Sequence, residues 1–214
     1  MRVCLVTTGQ PSTNPRLVKE ADACASAGWD VHVVAAHWAD WATTFDRDLL
    51  ASRPWRCTFV DWRRDQDPVL FWKSRVRHWL ARRAAPYTRT PGIQAAALSR
   101  VGLELARAAR RVRADLYIAH NLGALPAAAT AAAAHGALLG FDAEDFHSGQ
   151  FTAGGTSHQE QTVRAIEQAY LPSCAYVTAA SDGIAAAYHA SYGIALPTTV
   201  LNVFPRADRP AALR

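Results

Sequence analysis

The sequence has no uncharged apolar run of about 18 residues, the length that would mark a membrane-crossing helix. Met1-Arg2 leads straight into a strand-like run without an apolar signal segment, which predicts a cytoplasmic protein. The four cysteines, Cys4, Cys24, Cys57 and Cys174, form no C-x-x-C pair, so they read as reduced, buried small hydrophobes rather than a redox or zinc motif. No set of His, Cys, Asp and Glu shows metal-ligand spacing, so no metal is expected. The dinucleotide fingerprint G-x-G-x-x-G is missing as well. Where it would stand, in Thr8-Gly9-Gln10-Pro11-Ser12-Thr13, there is one glycine, which argues against NAD or FAD.

What is present begins with a βαβ unit over residues 2–36. Val3 to Thr7 is an apolar run suited to a strand buried on both faces, and Asn14-Pro15 supplies a helix cap and a first helical residue with preset φ. Leu17, Val18, Ala21, Cys24, Ala25 and Gly28 follow at helical spacing. Further strands are predicted at Arg56–Trp62, Asp115–Ala119, Ala137–Phe141, Ala175–Ala179 and Thr198–Leu201. Helices are predicted near Pro68–Ala84, Gly92–Val112, Leu122–Ala134, His158–Leu171 and Ser181–Ala190. The alternation implies an α/β fold, a doubly wound, mostly parallel sheet of about seven strands in one domain. Half of the 214 residues are hydrophobic, enough for a full core.

The formal charge of +5 is unevenly spread: residues 62–113 hold 13 Lys and Arg against 3 Asp and Glu, and the rest hold 10 against 15. Within that segment Trp72, Val76, Trp79 and Leu80 fall on one helical stripe flanked by Lys73, Arg75, Arg77, Arg82 and Arg83. The pattern suits a helix lying on an anionic membrane surface, and equally a core-packing stripe with a basic rim. No nucleic-acid motif accompanies the charge, so nucleic acid is not expected as a partner.

In an open parallel sheet the functional residues belong just past the strands. Thr8, Gly9 and Gln10 follow the first strand and should hold a polar ligand. His120 and Asn121 follow the strand DLYIA, where a histidine pointing into the crevice can exchange a proton or hold a hydroxyl. Asp142, Glu144, Asp145 and His147 follow the next strand and could orient sugar hydroxyls, act as acid and base or, least favoured for want of further ligands, bind a cation, or they could simply cap a helix or form a solvated acidic loop. Ser181 suits a helix cap, with the backbone amides after it facing the same crevice. Arg16 could bind an anionic group of a ligand or pair with Glu20 one turn on, the pair being favoured.

These pieces, in this order, resemble the amino-terminal half of a GT-B fold glycosyltransferase of family four. TNPRLVKEADACASAGWDVHVV resembles the family's first helix and second strand, and DLYIAHN the strand ending in the histidine beside the transferred sugar. GFDAEDFH, YVTAASDGIAAAY and VLNVFP resemble the three strand ends that follow. The likeness covers most of residues 1–205 and is weakest between Trp38 and Gln94. It implies a retaining, metal-independent transfer of a sugar from a nucleotide-sugar co-substrate to a hydroxyl acceptor. That acceptor would be a cell-envelope glycan, a lipid-linked molecule or a small molecule. His120 would contact the reacting sugar, with Thr8, Gly9, Gln10, Asn14, Arg16, Asn121, Asp142, Glu144, Asp145, Ser181 and Asn202 lining the acceptor side. The family's second domain, which holds most of the donor, would begin after Pro205, with residues 206–214 opening the linker, so the chain reads as the acceptor half and as inactive alone. Its partners would be that second half and, through the tryptophan-bearing helix, the inner membrane surface. A non-catalytic sugar- or partner-binding module is the alternative, and a hydrolase or epimerase using Asp142, Glu144, Asp145 and His120 is a third reading. Relatives carry a glycine pair in the first loop, whereas this chain has only Gly9 there.

Overall fold

The computed structural model describes residues 1–151 and 157–203. Residues 152–156, and Phe204, Pro205 and the linker expected over 206–214, lie outside the described residues. Seven parallel strands form one sheet: β1 (Arg2–Thr7), β2 (Asp30–Ala36), β3 (Arg56–Val60), β4 (Leu116–His120), β5 (Leu138–Ala143), β6 (Tyr176–Ala179) and β7 (Thr198–Thr199). The order β3-β2-β1-β4-β5-β6-β7 reverses direction between β1 and β4, which makes their carboxyl ends the topological switch point. The α/β, doubly wound architecture read from the sequence is therefore the one observed.

Eight α-helices cover the sheet among the described residues. The alternation of side chains along a strand divides the core in two. Val3 and Leu5 on β1 and Leu116 and Ile118 on β4 face α1 (Pro15–Ser26), against Leu17, Val18, Ala21 and Cys24. Cys4, Val6, Tyr117 and Ala119 face the other layer, built from α5 (Gly102–Ala109), α6 (Leu125–His135), α7 (His158–Tyr170) and α8 (Asp182–Tyr192). Asn14 caps α1 as its sequence suggests, its side chain accepting the Leu17 N–H at 3.1 Å with Pro15 in the first position. Gly140 on β5 is demanded by packing, since a Cβ there would lie 2.5 Å from the Tyr176 ring. All four cysteines are free; Cys4 and Cys24 are buried, whereas Cys57 and Cys174 are half-buried.

Three departures from the sequence reading matter. A helix not anticipated, α2 (Ala42–Ala51), lacks a capping side chain and leaves Phe45 exposed, so it carries neither usual sequence signal. The single helix expected over Gly92–Val112 is two, α4 (Pro91–Leu98) and α5, broken at Ser99–Val101. Finally, β5 runs on through Asp142 and Ala143, so Asp142 is a strand residue rather than part of the loop after it.

The stripe on α3 (Pro68–Ala84) is solvent-facing. Trp72 and Trp79 are 50% and 51% exposed, and Val69, Val76 and Leu80 are exposed with them. Only Ser74 and Ala81 of this helix are buried. The core-packing alternative is thus excluded for the tryptophans. Arg83 stacks on Trp79 at 4.2 Å, and Arg75 lies 6.0 Å from the Trp72 ring. Arg77 departs from the expected basic rim: it turns inward and grips the buried Glu104 at 2.9 and 2.5 Å. Among the described residues no helix is long and apolar enough to cross a membrane.

Candidate functional site

The strand ends carry two distinct polar assemblies, separated by the sheet. Register brings Thr7, His120, Asp142 and Thr178 side by side across β1, β4, β5 and β6. His120 follows the alternation of Leu116 and Ile118 and so faces α1, where Arg16 and Glu20 meet it. Arg16 clasps Asp142 bidentately, Nε to Oδ2 at 2.8 Å and Nη2 to Oδ1 at 2.5 Å. Asp142 also accepts from Thr178 Oγ1 at 2.6 Å. His120 Nδ1 lies 3.4 Å from Asp142 Oδ2, and Nε2 lies 2.6 Å from Glu20 Oε2 but off the N–H axis, an ion contact rather than a formed hydrogen bond.

Arg16, His120 and Asp142 are nearly dry, His120 being 1% and Asp142 3% exposed, whereas the Glu20 side chain keeps 27% of its surface in solvent. Burial disfavours protonated His120, but Asp142 and Glu20 outweigh it and push its pKa up to about 9. Burial likewise opposes ionised Asp142, yet Arg16 and His120 hold its carboxyl well below the ordinary range. His120 is therefore an imidazolium at neutral pH, locked between two carboxylates. This corrects the expectation of a crevice-facing histidine titrating near neutrality. Arg16 likewise departs from the expected pairing with Glu20, because Asp142, 126 residues away, is brought beside it by the sheet.

The cluster also holds the chain after β7. Arg16 Nη1 donates to the Val200 carbonyl at 2.6 Å, and Lys19 Nζ donates to Asn202 Oδ1 at 3.1 Å and to the Val203 carbonyl at 2.7 Å. An apolar hollow of about 320 Å³ lies between Glu20, Ala23 and this segment. Asn202 is thus a docking residue for α1.

Across the sheet, at the switch point, opens a crevice of about 510 Å³. Thr8 follows β1 and Asn121 follows β4, and the Thr8 hydroxyl donates to Asn121 Oδ1 at 2.9 Å across the gap. Asn121 Nδ2 donates to Thr7 Oγ1 at 3.1 Å, and its own φ of 72° places it in the left-handed region. Such a conformation costs about 1 kcal/mol or more outside glycine, least for asparagine, and is held here by those bonds. A Cβ on Gly123 would approach Thr8 Cγ2 to 3.0 Å, so glycine keeps this wall close.

The far wall comes from the break between α4 and α5, with Ser99, Arg100 and Val101, and from Trp62, His147, Gln150, Phe151 and Gln159. Arg100 stacks on Trp62 at 4.4 Å and on Phe71 at 4.5 Å. Tyr188 and Tyr192 donate to the buried Glu167, and the Ser148 hydroxyl donates to Tyr192 Oη at 3.0 Å, which fixes the loop bearing His147. Burial lowers the His147 pKa, and among the described residues its Nε2 has no hydrogen-bond partner, nor has Trp62 Nε1. Trp62 and Arg100 were not among the site residues expected, whereas His147 was; the weak breakers Ser99 and Gly102 are the only signal of the loop that presents Arg100.

The remaining expected residues divide between support and surface. Gln10 is buried and structural, donating to Asp46 at 2.7 Å and accepting from the Trp38 and Ala39 N–H groups. Gly9 donates its N–H to Thr7 Oγ1. Ser181 is a cap, accepting the Ile184 N–H at 3.3 Å. Glu144 is half-buried, its pKa raised by burial and by Asp142 and Asp145; Asp145 is exposed. Neither residue lines the crevice. Among the described residues no group of three or more His, Cys, Asp and Glu is arranged to hold a metal ion.

No protein-family model matches the chain, and no curated protein is significantly similar to it. Solved structures share its fold. The Anabaena protein HepE in complex with UDP-glucose superposes with a TM-score of 0.54 at 16% identity, over 95% of this chain and 44% of that one. Arabidopsis thaliana UGT89C1 complexed with UDP gives 0.54 at 11% identity, over 96% and 53%. A putative UDP-N-acetylglucosamine 2-epimerase from Listeria monocytogenes gives 0.54 at 11% identity, over 92% and 44%. The chain spans about half the length of these structures.

Proposed function

We propose that this chain is the acceptor-side half of a nucleotide-sugar glycosyltransferase. The observation that carries the reading is the crevice at the β1/β4 switch point, whose first loop lacks the dinucleotide glycines, on a fold that superposes on half of proteins solved with UDP or UDP-glucose. In the transfer, an acceptor hydroxyl oxygen bonds to the anomeric carbon and the bond from that carbon to the nucleoside diphosphate breaks. The electron pair leaves on the diphosphate, and the hydroxyl proton is lost to a base or to the leaving group. Thr8 and Asn121 would hold acceptor hydroxyls, while a second domain would hold most of the donor. His120 acts here as a positioning residue, since it fixes Asp142 and the end of β4 from the α1 side. Retention of anomeric configuration and transfer of a hexose complete the proposal, and both rest on the family resemblance.

The exposed tryptophan face of α3 supports a peripheral seat on an anionic membrane surface, with Lys73, Arg75, Arg82 and Arg83 supplying the charge. The half-fold also occurs in a putative epimerase, so fold alone does not choose between the two chemistries. The test is nucleoside diphosphate release from nucleotide sugars, with and without hydroxyl acceptors, by the chain alone and joined to a donor-binding second half. Acceptor-dependent release by the joined protein only is expected, with the product anomer read by NMR. Full activity of the 214-residue chain would refute the half-enzyme reading, and acceptor-independent interconversion of the nucleotide sugar would replace transfer by epimerisation.

A further inference from the structure

We propose that the switch-point crevice binds a phosphate group through Arg100, and that this phosphate belongs to the acceptor. The inference deepens the glycosyltransferase reading and rests on it for the word acceptor; the anion site itself does not.

Arg100 is unlike the other internal arginines. Arg16 has Asp142 and Arg77 has Glu104, each at 2.5 Å, but among the described residues no carboxylate lies within ion-pair distance of Arg100. Its guanidinium is nonetheless held in place, with Nε donating to Ser74 Oγ at 3.1 Å and Nη2 to the Phe71 carbonyl at 2.5 Å. The Trp62 and Phe71 rings flank it. Burial, then Arg75 and Arg77, disfavour its charge, so an anion placed against it would relieve both. A fixed, partly dry guanidinium without a counter-ion is preorganised for a planar or tetrahedral oxyanion.

The rest of the crevice agrees in sign. Among the described residues that line it, none is Asp or Glu. The Ser99–Val101 loop leads into α5 and the Asn121–Gly123 turn into α6, so two helix amino ends border it and add positive potential to the cationic side chain. The two unpartnered ring nitrogens, Trp62 Nε1 and His147 Nε2, sit in the same wall, where hydroxyls of a ligand would satisfy them after small side-chain shifts.

The acceptor is preferred to the donor as source because Arg100 is anchored to α3, not to the segment after β7 that leads onward. The inner side of α3 grips Arg100 through Phe71 and Ser74, and its outer side bears the exposed tryptophans. A phosphate on Arg100 would thus lie about one helix diameter, roughly 10 Å, beneath a surface suited to anionic lipid, as in a phosphate-linked acceptor drawn from a membrane.

The test is calorimetric titration of the 214-residue chain with glycerol 3-phosphate, glycerol and UDP, in wild type and in R100Q, R100K and R113Q, with thermal melts checking the fold of each. Expected is glycerol 3-phosphate binding weakened at least tenfold in R100Q, several-fold in R100K and not at all in R113Q, with no measurable glycerol binding. Equal binding by R100Q and wild type would overturn the site, and equal loss in R113Q would reduce it to bulk charge. Tighter, Arg100-dependent binding of UDP that displaces glycerol 3-phosphate would assign the site to the donor and overturn the acceptor claim. Arg100-dependent phosphate binding with no sugar transfer by the joined protein would sink the transferase reading while leaving the anion site.

Discussion

The two sides of the sheet handle charge in opposite ways. On the α1 side buried Arg16, Asp142 and His120 cancel with half-buried Glu20 in a closed cluster that also ties down Val200. On the α5 side Arg100 stands fixed but uncompensated over an open crevice. Adjacent residues of one strand end, His120 and Asn121, contribute one to each assembly. Polar residues at strand ends are therefore not one class: a closed network secures the scaffold, and an open one awaits a ligand.

Breaking the closed network should produce the largest effect. Arg16→Leu leaves Asp142 buried without its main partner, for which a loss of about 3–5 kcal/mol is expected, read from the urea midpoint. Arg100→Gln, with no ion pair to break, should cost about 1 kcal/mol or less by the same measurement. Comparable losses would erase the distinction between the two sides.

The closed network also predicts a pH signature. The folded His120 pKa of about 9 lies above its ordinary 6.5, so its stabilisation is complete below about 6.5 and is lost as pH rises through 9. The depressed Asp142 carboxyl acts in the opposite sense, its stabilisation present above the ordinary 3.8 and lost as pH falls toward its folded value. Melting temperature followed from pH 6 to 10 should therefore fall more steeply in wild type than in His120→Gln. Parallel curves would remove the buried imidazolium.

Smaller effects sharpen the crevice. Asn121→Ala loses hydrogen bonds while keeping a strained φ, and Asn121→Gly loses the bonds alone, so the alanine variant should be less stable by about 1 kcal/mol in denaturant melts. Smallest of all, Trp72→Ala with Trp79→Ala should leave stability within about 0.5 kcal/mol because both side chains are exposed. The same pair should abolish most sedimentation with phosphatidylglycerol vesicles; unchanged sedimentation would remove the membrane face.

Much of this architecture was legible in the residues. The apolar runs at Val3–Thr7 and Asp115–Ala119, the Asn14-Pro15 cap and the Ser181 cap gave a parallel α/β sheet because each signal is local. The partition of the site was not legible, because it depends on long-range register. Nothing near Arg16 says that Asp142 will lie beside it, and nothing in His120-Asn121 says which of the two faces α1. Arg100 was hidden for a different reason: Gly92–Val112 has continuous helical composition, and the break that presents Arg100 is marked only by Ser99 and Gly102. Arg77 and Gln10 mislead in the same way, since an exposed-looking arginine and a loop glutamine are each consumed by one distant carboxylate, Glu104 and Asp46.

The most direct test of the two-sided account is amide NMR of the 214-residue chain titrated with glycerol 3-phosphate. The account predicts shifts concentrated at Thr8, Ser99–Val101 and Asn121–Gly123, with Arg16, Glu20, His120 and Asp142 unmoved. Shifts centred on the Arg16–Asp142 cluster, with Ser99–Val101 silent, would contradict it.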